Sequence, residues 1–268
     1  MRVLFIGDIM GNPGIKAVTE GLAELKERDN HFDFIIANVE NAAAGFGLNK
    51  DAWDKLSQFN FDCMTSGNHI WDRPEVNKYI NSETRLLRPA NYPLGNPGFG
   101  WQVYETKNAL KVAVINLQGR VYMQNIDCPF QTADKILGEI SDECKIIIVD
   151  FHADASSEKQ AMGWYLDGRV SAVIGTHTHV QTAETRVLPG GCGVITDVGM
   201  CGAYDSVIGM QIENALFRFL KGRTNRLELA THNSKFAAVV IDIDEAGGKC
   251  VSIERLLLDI PSSGDLEG

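Results

Sequence analysis

Gly175-Thr176-His177-Thr178-His179-Val180 follows the apolar run Val170–Ile174, so two histidines two residues apart leave a buried strand. An extended backbone there would point His177 and His179 to the same side. Loops at the C-terminal ends of strands are where α/β folds place their chemistry. A lone His-x-His recurs by chance in a chain of 268 residues, and its plain alternative is a pair of polar loop side chains. The neighbours decide between the two. Of the six histidines, His69, His152, His177 and His179 each sit directly after an apolar run. Asp8 and Glu40 occupy the same kind of position.

Working outward, Val3–Ile6 reads as a buried strand that turns at Gly7-Asp8, and Asn12-Pro13-Gly14 reads as a break before a helix over Ile15–Arg28. Phe34–Val39 is a second strand that delivers Glu40-Asn41 to its tip, and Asn49–Phe59 is an amphipathic helix. Cys63-Met64-Thr65 is a weak strand leading into Gly67-Asn68-His69. The β-α-β-α-β order predicts a mostly parallel sheet with its active edge at the strand C-termini. Leu87–Gly98, rich in Pro, Asn and Gly, is a loop and a candidate substrate rim. Val103–Glu105 and Leu110–Leu117 read as strands, Thr132–Ile140 as a helix, and Lys145–Val149 as a strand ending at Asp150-Phe151-His152. Ser157 and Gln160 fit a capping box for the helix through Tyr165. Beyond the two histidines the chain turns strand-rich, with Glu184–Leu188, Gly193–Asp197, Phe236–Ile243 and Val251–Leu258, and one helix over Gln211–Leu220. No repeat or linker divides it, so residues 1–260 read as one domain, and 261–268 as a polar, flexible tail.

Composition narrows the function classes. A net charge of −10 argues against a nonspecific nucleic-acid or acidic-membrane binder, which needs a basic field. The six cysteines are scattered without a Cys-x-x-Cys pair and read as reduced thiols of a cytoplasmic protein. Asp8 interrupts the first apolar stretch, so no signal peptide is expected, and no run reaches the roughly 18 apolar residues of a membrane helix.

The recurring event is a strand that ends in a metal-type ligand. Asp8, Glu40, Asn41, Asn68, His69, His152, His177 and His179 supply two carboxylates, two amide oxygens and up to four imidazoles. That is too many for one tetrahedral zinc and enough for two metals sharing a carboxylate. Singly, each has an ordinary explanation as a turn former, cap or polar loop residue. Together, each at a strand tip, they do not.

Gly7-Asp8, Asn38-x-Glu40-Asn41, Gly67-Asn68-His69, His152 and Gly175-x-His177-x-His179 resemble, in that order, the calcineurin-like metallophosphoesterases. Two departures, Asp8-Ile9-Met10 for the usual Asp-x-His and Glu40 for the usual bridging Asp, are similar to the bacterial YmdB-like branch, as are Arg88–Pro93 and Gly199–Gly209. The resemblance implies a two-sheet α/β/β/α sandwich with a dinuclear metal site at the strand C-terminal ends. It implies one metal on Asp8, Glu40, Asn41 and His179, a second on Glu40, Asn68, His152 and His177, and Glu40 between them. A metal-bridging hydroxide would be the nucleophile and His69 the general acid. The two ions would be divalent or a mixed-valence pair; ligation by N and O without thiolate suits iron or manganese, favoured by the resemblance, or zinc.

The branch is associated with hydrolysis of 2′,3′-cyclic nucleotides, and the acidic chain suits a small phosphodiester or an RNA end better than a duplex. Arg88, Asn91, Tyr92, Arg120 and Tyr204 form a plausible rim, with an arginine for phosphate and an aromatic ring for the base. Two rival readings stand beside this one: a phosphomonoesterase on the same scaffold, and a regulatory nucleotide- or metal-binding protein with incidental turnover. Self-association of the branch implies a homo-oligomer.

Overall fold

The structure, a computed structural model, describes residues 1–261; most of the expected tail, residues 262–268, lies outside the described residues. Val3–Ile6 forms the buried part of β1 (Arg2–Ile6), because no polar residue interrupts the run. β1 pairs in parallel with β3 (Phe34–Asn38), which pairs in parallel with β4 (Cys63–Thr65). On its other side runs the antiparallel β12 (Ser234–Ile243), itself paired with β11 (Met200–Ala203) and β13 (Cys250–Asp259). A two-residue β2 (Asp8–Ile9) joins β11 and closes this sheet.

The second sheet runs β5-β6-β7-β8-β10-β9, from β5 (Trp101–Glu105), β6 (Lys111–Gln118), β7 (Ile146–His152) and β8 (Ala172–Thr176) to β10 (Gly193–Ile195) and β9 (Thr185–Val187). Its middle four strands are parallel and its edges antiparallel. Strand alternation then assigns the layers. Val3 and Phe5 of β1 pack with Val112, Ile148 and Ile174 between the sheets, whereas Leu4 and Ile6 face α1 (Gly11–Glu27) and α2 (Lys50–Leu56). Ala113, Ile115 and Val149 face α3 (Pro129–Glu139) and α4 (Ser156–Leu166). Each fully buried large side chain, such as Phe5, Phe34 or Phe151, contributes roughly 1.5–3 kcal/mol. The layers are α/β/β/α, as expected.

Several boundaries differ from the sequence reading. Asn12-Pro13-Gly14 does not break the chain but lies in the first turn of α1, where proline's missing N–H is not needed. Asn49 is the cap of α2 and not its first residue, its Oδ1 accepting from the Ala52 N–H at 2.9 Å. α3 starts earlier than expected, with Pro129 in its first turn. The expected capping box is absent, since α4 opens at Ser156 after Ala155, without a side-chain cap. α5 (Ile212–Lys221) lies where expected and ends on a left-handed Gly222.

Candidate metal centre

The parallel strands of both sheets end on one side, and buried polar bonds tie the two sets of tips together. The Asn38 side chain donates to Asp150 Oδ2 at 3.0 Å, and the Ser66 N–H donates to Asn116 Oδ1 at 3.0 Å. The tips carry seven ligand-type side chains. Asp8 lies in β2, Glu40 and Asn41 follow β3, Asn68 follows β4, His152 ends β7, and His177 and His179 follow β8.

Around His152 Nε2, three further donor atoms crowd in: Glu40 Oε1 at 2.9 Å, His177 Nδ1 at 3.0 Å and Asn68 Oδ1 at 3.1 Å. One ring nitrogen cannot satisfy three partners, and Glu40 Oε1, close as it is, makes no well-directed hydrogen bond. Two ligands at right angles and about 2.1 Å from one cation sit about 3.0 Å apart, which is the spacing found. Beside this group Asp8 Oδ1 and Asn41 Oδ1 are buried without a partner. Buried oxygens left unpaired cost about 1–3 kcal/mol each unless something accepts their lone pairs. A cation does so. The donor set therefore fits bound metal, with Glu40, Asn68, His152 and His177 in one group and the unpaired oxygens of Asp8 and Asn41 beside it.

Outer hydrogen bonds set the tautomers. The Thr176 hydroxyl donates to Asp150 Oδ1 at 2.7 Å and accepts from His152 Nδ1 at 2.8 Å, which turns His152 Nε2 toward the centre. His179 Nδ1 donates to the Ile208 carbonyl at 2.9 Å, which leaves its Nε2 lone pair free. His177 is different, since the nitrogen it presents is Nδ1. The two histidines are not extended as the sequence suggested: β8 stops at Thr176, and His177 and His179 take φ of 104° and 65°. Such left-handed conformations cost non-glycine residues on the order of 1–3 kcal/mol and persist only where the surroundings hold them. Gly67 is required by space, because a Cβ there would overlap the His152 ring and Glu40 Oε2.

Charge follows the same geometry. Burial pushes the Asp8 carboxyl well above its usual value, and nearby Glu40 adds to this while His152 opposes it. Burial also acts to raise Glu40, but the His152 imidazole overrides it and holds the carboxyl down to about 2. Burial would lower His152, yet Glu40 and then Asp8 raise it to about 9. His177 falls to about 3 through burial and the His152 cation, so it is neutral and ready to ligate. Without metal, His152 keeps its proton at pH 7, and a cation must displace it. Calorimetric titration of the metal-free protein in buffers of different ionisation enthalpy should show at least about one proton released per chain, with affinity rising as pH climbs toward 9. Binding without proton release would show His152 already neutral.

His69 sits in a short 3-10 turn (Asn68–Trp71) beside the ligands; its backbone N–H donates to Glu40 Oε2 at 3.0 Å. Its ring Nδ1 lies 2.7 Å from Asp72 Oδ2, and Phe46 packs edge-on against it. The rim is less obliging. All three guanidinium nitrogens of Arg88 donate to carbonyls of its own loop, Pro89, Asn96 and Pro97. Asn91 staples two loops, its Nδ2 donating to the Gln118 and Asp127 carbonyls and its Oδ1 accepting from the Gln118 N–H. Tyr92 is buried against Trp71 with its hydroxyl on Gln124, and Tyr204 bonds the Met200 carbonyl from a methionine-lined cluster. Only Arg120 of the five is exposed, touching Cys128 Sγ at 3.4 Å.

Sequence reasoning passed over Tyr122, an aromatic 88% exposed in a turn that starts where the Gly119 N–H meets the His152 carbonyl. It also passed over Asn38, Asp150 and Thr176 as ligand supports. Asp150, two residues before His152 on the same strand face, was the one visible signal.

The family described as YmdB-like protein matches residues 4–256. A 2′,3′-cyclic-nucleotide 2′-phosphodiesterase of Bacillus subtilis is 47% identical over 259 residues, 97% of each chain. A hypothetical protein from Thermus thermophilus superposes with a TM-score of 0.91 at 41% identity, covering 97% of this chain and 100% of its own. A structure described as a novel phosphatase from Mycoplasma pneumoniae gives 0.90 at 30% identity, over 97% and 93%.

Proposed function

The chain belongs to the YmdB-like family, and on that premise we propose that it is a dinuclear metal-dependent phosphodiesterase that hydrolyses small phosphodiesters, 2′,3′-cyclic nucleotides first among them. The observation that carries this is the convergence of Asp8, Glu40, Asn41, Asn68, His152, His177 and His179, with Asp8 Oδ1, Glu40 Oε1 and Asn41 Oδ1 all lacking hydrogen-bond donors. Asp8, Glu40, Asn41 and His179 would hold one cation, and Glu40, Asn68, His152 and His177 the other. The thiolate-free donor set suits iron, manganese or zinc, and the family resemblance favours the first two. When bound, such a pair supplies Lewis-acid polarisation of the phosphoryl group and a nucleophile drawn from water at neutral pH.

The chain's own residues do the rest. Asp72 accepts from the His69 ring at Nδ1 and so orients it, and the proton that goes to the departing alkoxide comes from Nε2 of the ring protonated at both nitrogens. The structure described as a phosphatase keeps a phosphomonoesterase reading open. Arg88, occupied by its own loop, offers no cation to either kind of substrate. Arg120 and Tyr122 remain as the exposed cation and aromatic for the nucleotide. Turnover of 2′,3′-cyclic AMP, 3′,5′-cyclic AMP and a nitrophenyl monoester by the manganese-loaded protein tests the reading. The first substrate should exceed the others at least tenfold in kcat/KM; equal or faster monoester turnover would overturn the preference. Binding of the cyclic nucleotide with turnover near the uncatalysed rate would favour a regulatory protein.

Two broader points belong to the same reading. α5 leaves Ile212, Leu216, Phe219 and Leu220 exposed at helical spacing, which supports a homo-oligomer, to be read by sedimentation. All six cysteines are free thiols, which supports action in the reducing cytoplasm. No helix among the described residues is long and apolar enough to cross a membrane.

A further inference from the structure

One carboxylate that is not among the ligands bonds to neighbours of ligands on two segments, Thr178 between His177 and His179, and Gly199 beside Asp8. Asp197 follows β10 and is 1% exposed. Its Oδ2 accepts from the Thr178 N–H at 2.9 Å, the Thr178 hydroxyl at 2.8 Å and the Lys159 ammonium at 2.7 Å. Its Oδ1 accepts from the Gly199 N–H at 2.8 Å. Thr178 is the residue between His177 and His179. Gly199 is equally well placed, since its carbonyl accepts the Asp8 N–H at 3.1 Å. The Asp197 backbone adds to the hold, exchanging hydrogen bonds with Thr182 at the far end of the histidine loop. Lys159, 4% exposed on α4, balances the buried charge.

We infer that Asp197, balanced by Lys159, is a positioning residue that holds the His177-Thr178-His179 loop in its left-handed conformation and fixes it relative to Asp8, and so sets the spacing between the two metal sites. The inference rests on the dinuclear reading above. Only a carboxylate can accept all four donors. An asparagine would turn its NH2 either toward Gly199 or toward Thr178 and Lys159, and in each case a donor would meet a donor.

The test uses the full chain stripped with chelator and then titrated with Mn²⁺ alone. In Asp197→Asn, amide exchange over residues 177–182 of the metal-free protein should rise at least tenfold while circular dichroism stays native. Mn²⁺ affinity should fall at least tenfold, and the spin-coupled signal of the manganese pair should be lost or altered even at saturation. Thr178→Val removes one donor and keeps the main-chain bond, so it should give the same changes at a few-fold, and it serves if Asp197→Asn does not fold. Lys159→Arg should restore what Lys159→Met loses. Wild-type exchange and a wild-type coupled signal in folded Asp197→Asn, or in Thr178→Val if that variant must stand in, would overturn the role of Asp197. Failure of the wild-type protein to bind a coupled manganese pair would instead overturn the dinuclear reading, and unchanged loop exchange would still decide against the positioning role on its own.

Discussion

Glu40→Gln should abolish turnover and release both metal ions together. Glu40 is fully buried, and its two oxygens face different groups: Oε1 lies among the His152, His177 and Asn68 donors, while Oε2 accepts the His69 N–H at 3.0 Å. A glutamine of the same shape cannot serve both. With its NH2 in the Oε2 place it meets the His69 N–H, and in the Oε1 place it points a donor at the metal position. The lost charge also removes half of the carboxylate balance against two divalent ions. A fall of on the order of 10³ or more in kcat/KM follows, about 4 kcal/mol at 1.36 kcal/mol per tenfold. Elemental analysis should find well under one metal per chain. Asp8→Asn should chiefly weaken one site, since the other donors around His152 Nε2 do not include it. Two metals retained in purified Glu40→Gln would remove Glu40 from its bridging place.

Much of this was legible because strands buried on both faces need continuous apolar runs, and a ligand at the tip is then the first polar residue after one. Val3–Ile6 before Asp8 is of this kind, whereas the run Ile146–Val149 meets the buried support Asp150 before it reaches His152. Three things were not legible, for different physical reasons. β2 and β11 are two and four residues long, and Met200-Cys201-Gly202-Ala203 has no strand-like alternation, so their pairing depends on tertiary contact alone. The left-handed backbone of His177 and His179 is imposed from Asp197, a residue distant in sequence, and no local propensity announces it. The rim was legible only in part, because an arginine in a Pro-rich loop finds unpaired carbonyls close by. Arg88 folds back onto Pro89, Asn96 and Pro97, and residue type alone does not tell such an arginine from one that faces substrate.

His69→Ala should separate binding from chemistry. His69 is partly exposed and offers the centre only its backbone N–H to Glu40, whereas its ring is held by Asp72 and Phe46 and not by the atoms around His152 Nε2. Removing the ring leaves that backbone bond in place, so both metals and the fold should be retained. The rate should then fall by roughly 10² to 10⁴, the span for loss of acid catalysis, but only where the leaving group needs a proton. A 2′,3′-cyclic nucleotide departs as an alkoxide and should suffer the whole loss. A nitrophenyl diester departs as a stable phenolate and should be hydrolysed almost normally. Asp72→Asn should fall between, because the ring keeps a partner but loses a charge-assisted hydrogen bond that orients it. His152→Ala and His177→Ala are the contrast: each removes a nitrogen within 3.0 Å of the other, so each should lower metal content and slow both substrates alike. The three histidine variants, with metals counted and both substrates assayed side by side, decide the assignment. If His69→Ala loses metal, or slows the two substrates equally, His69 is a ligand or a positioning residue, and the proton comes from another group or from water.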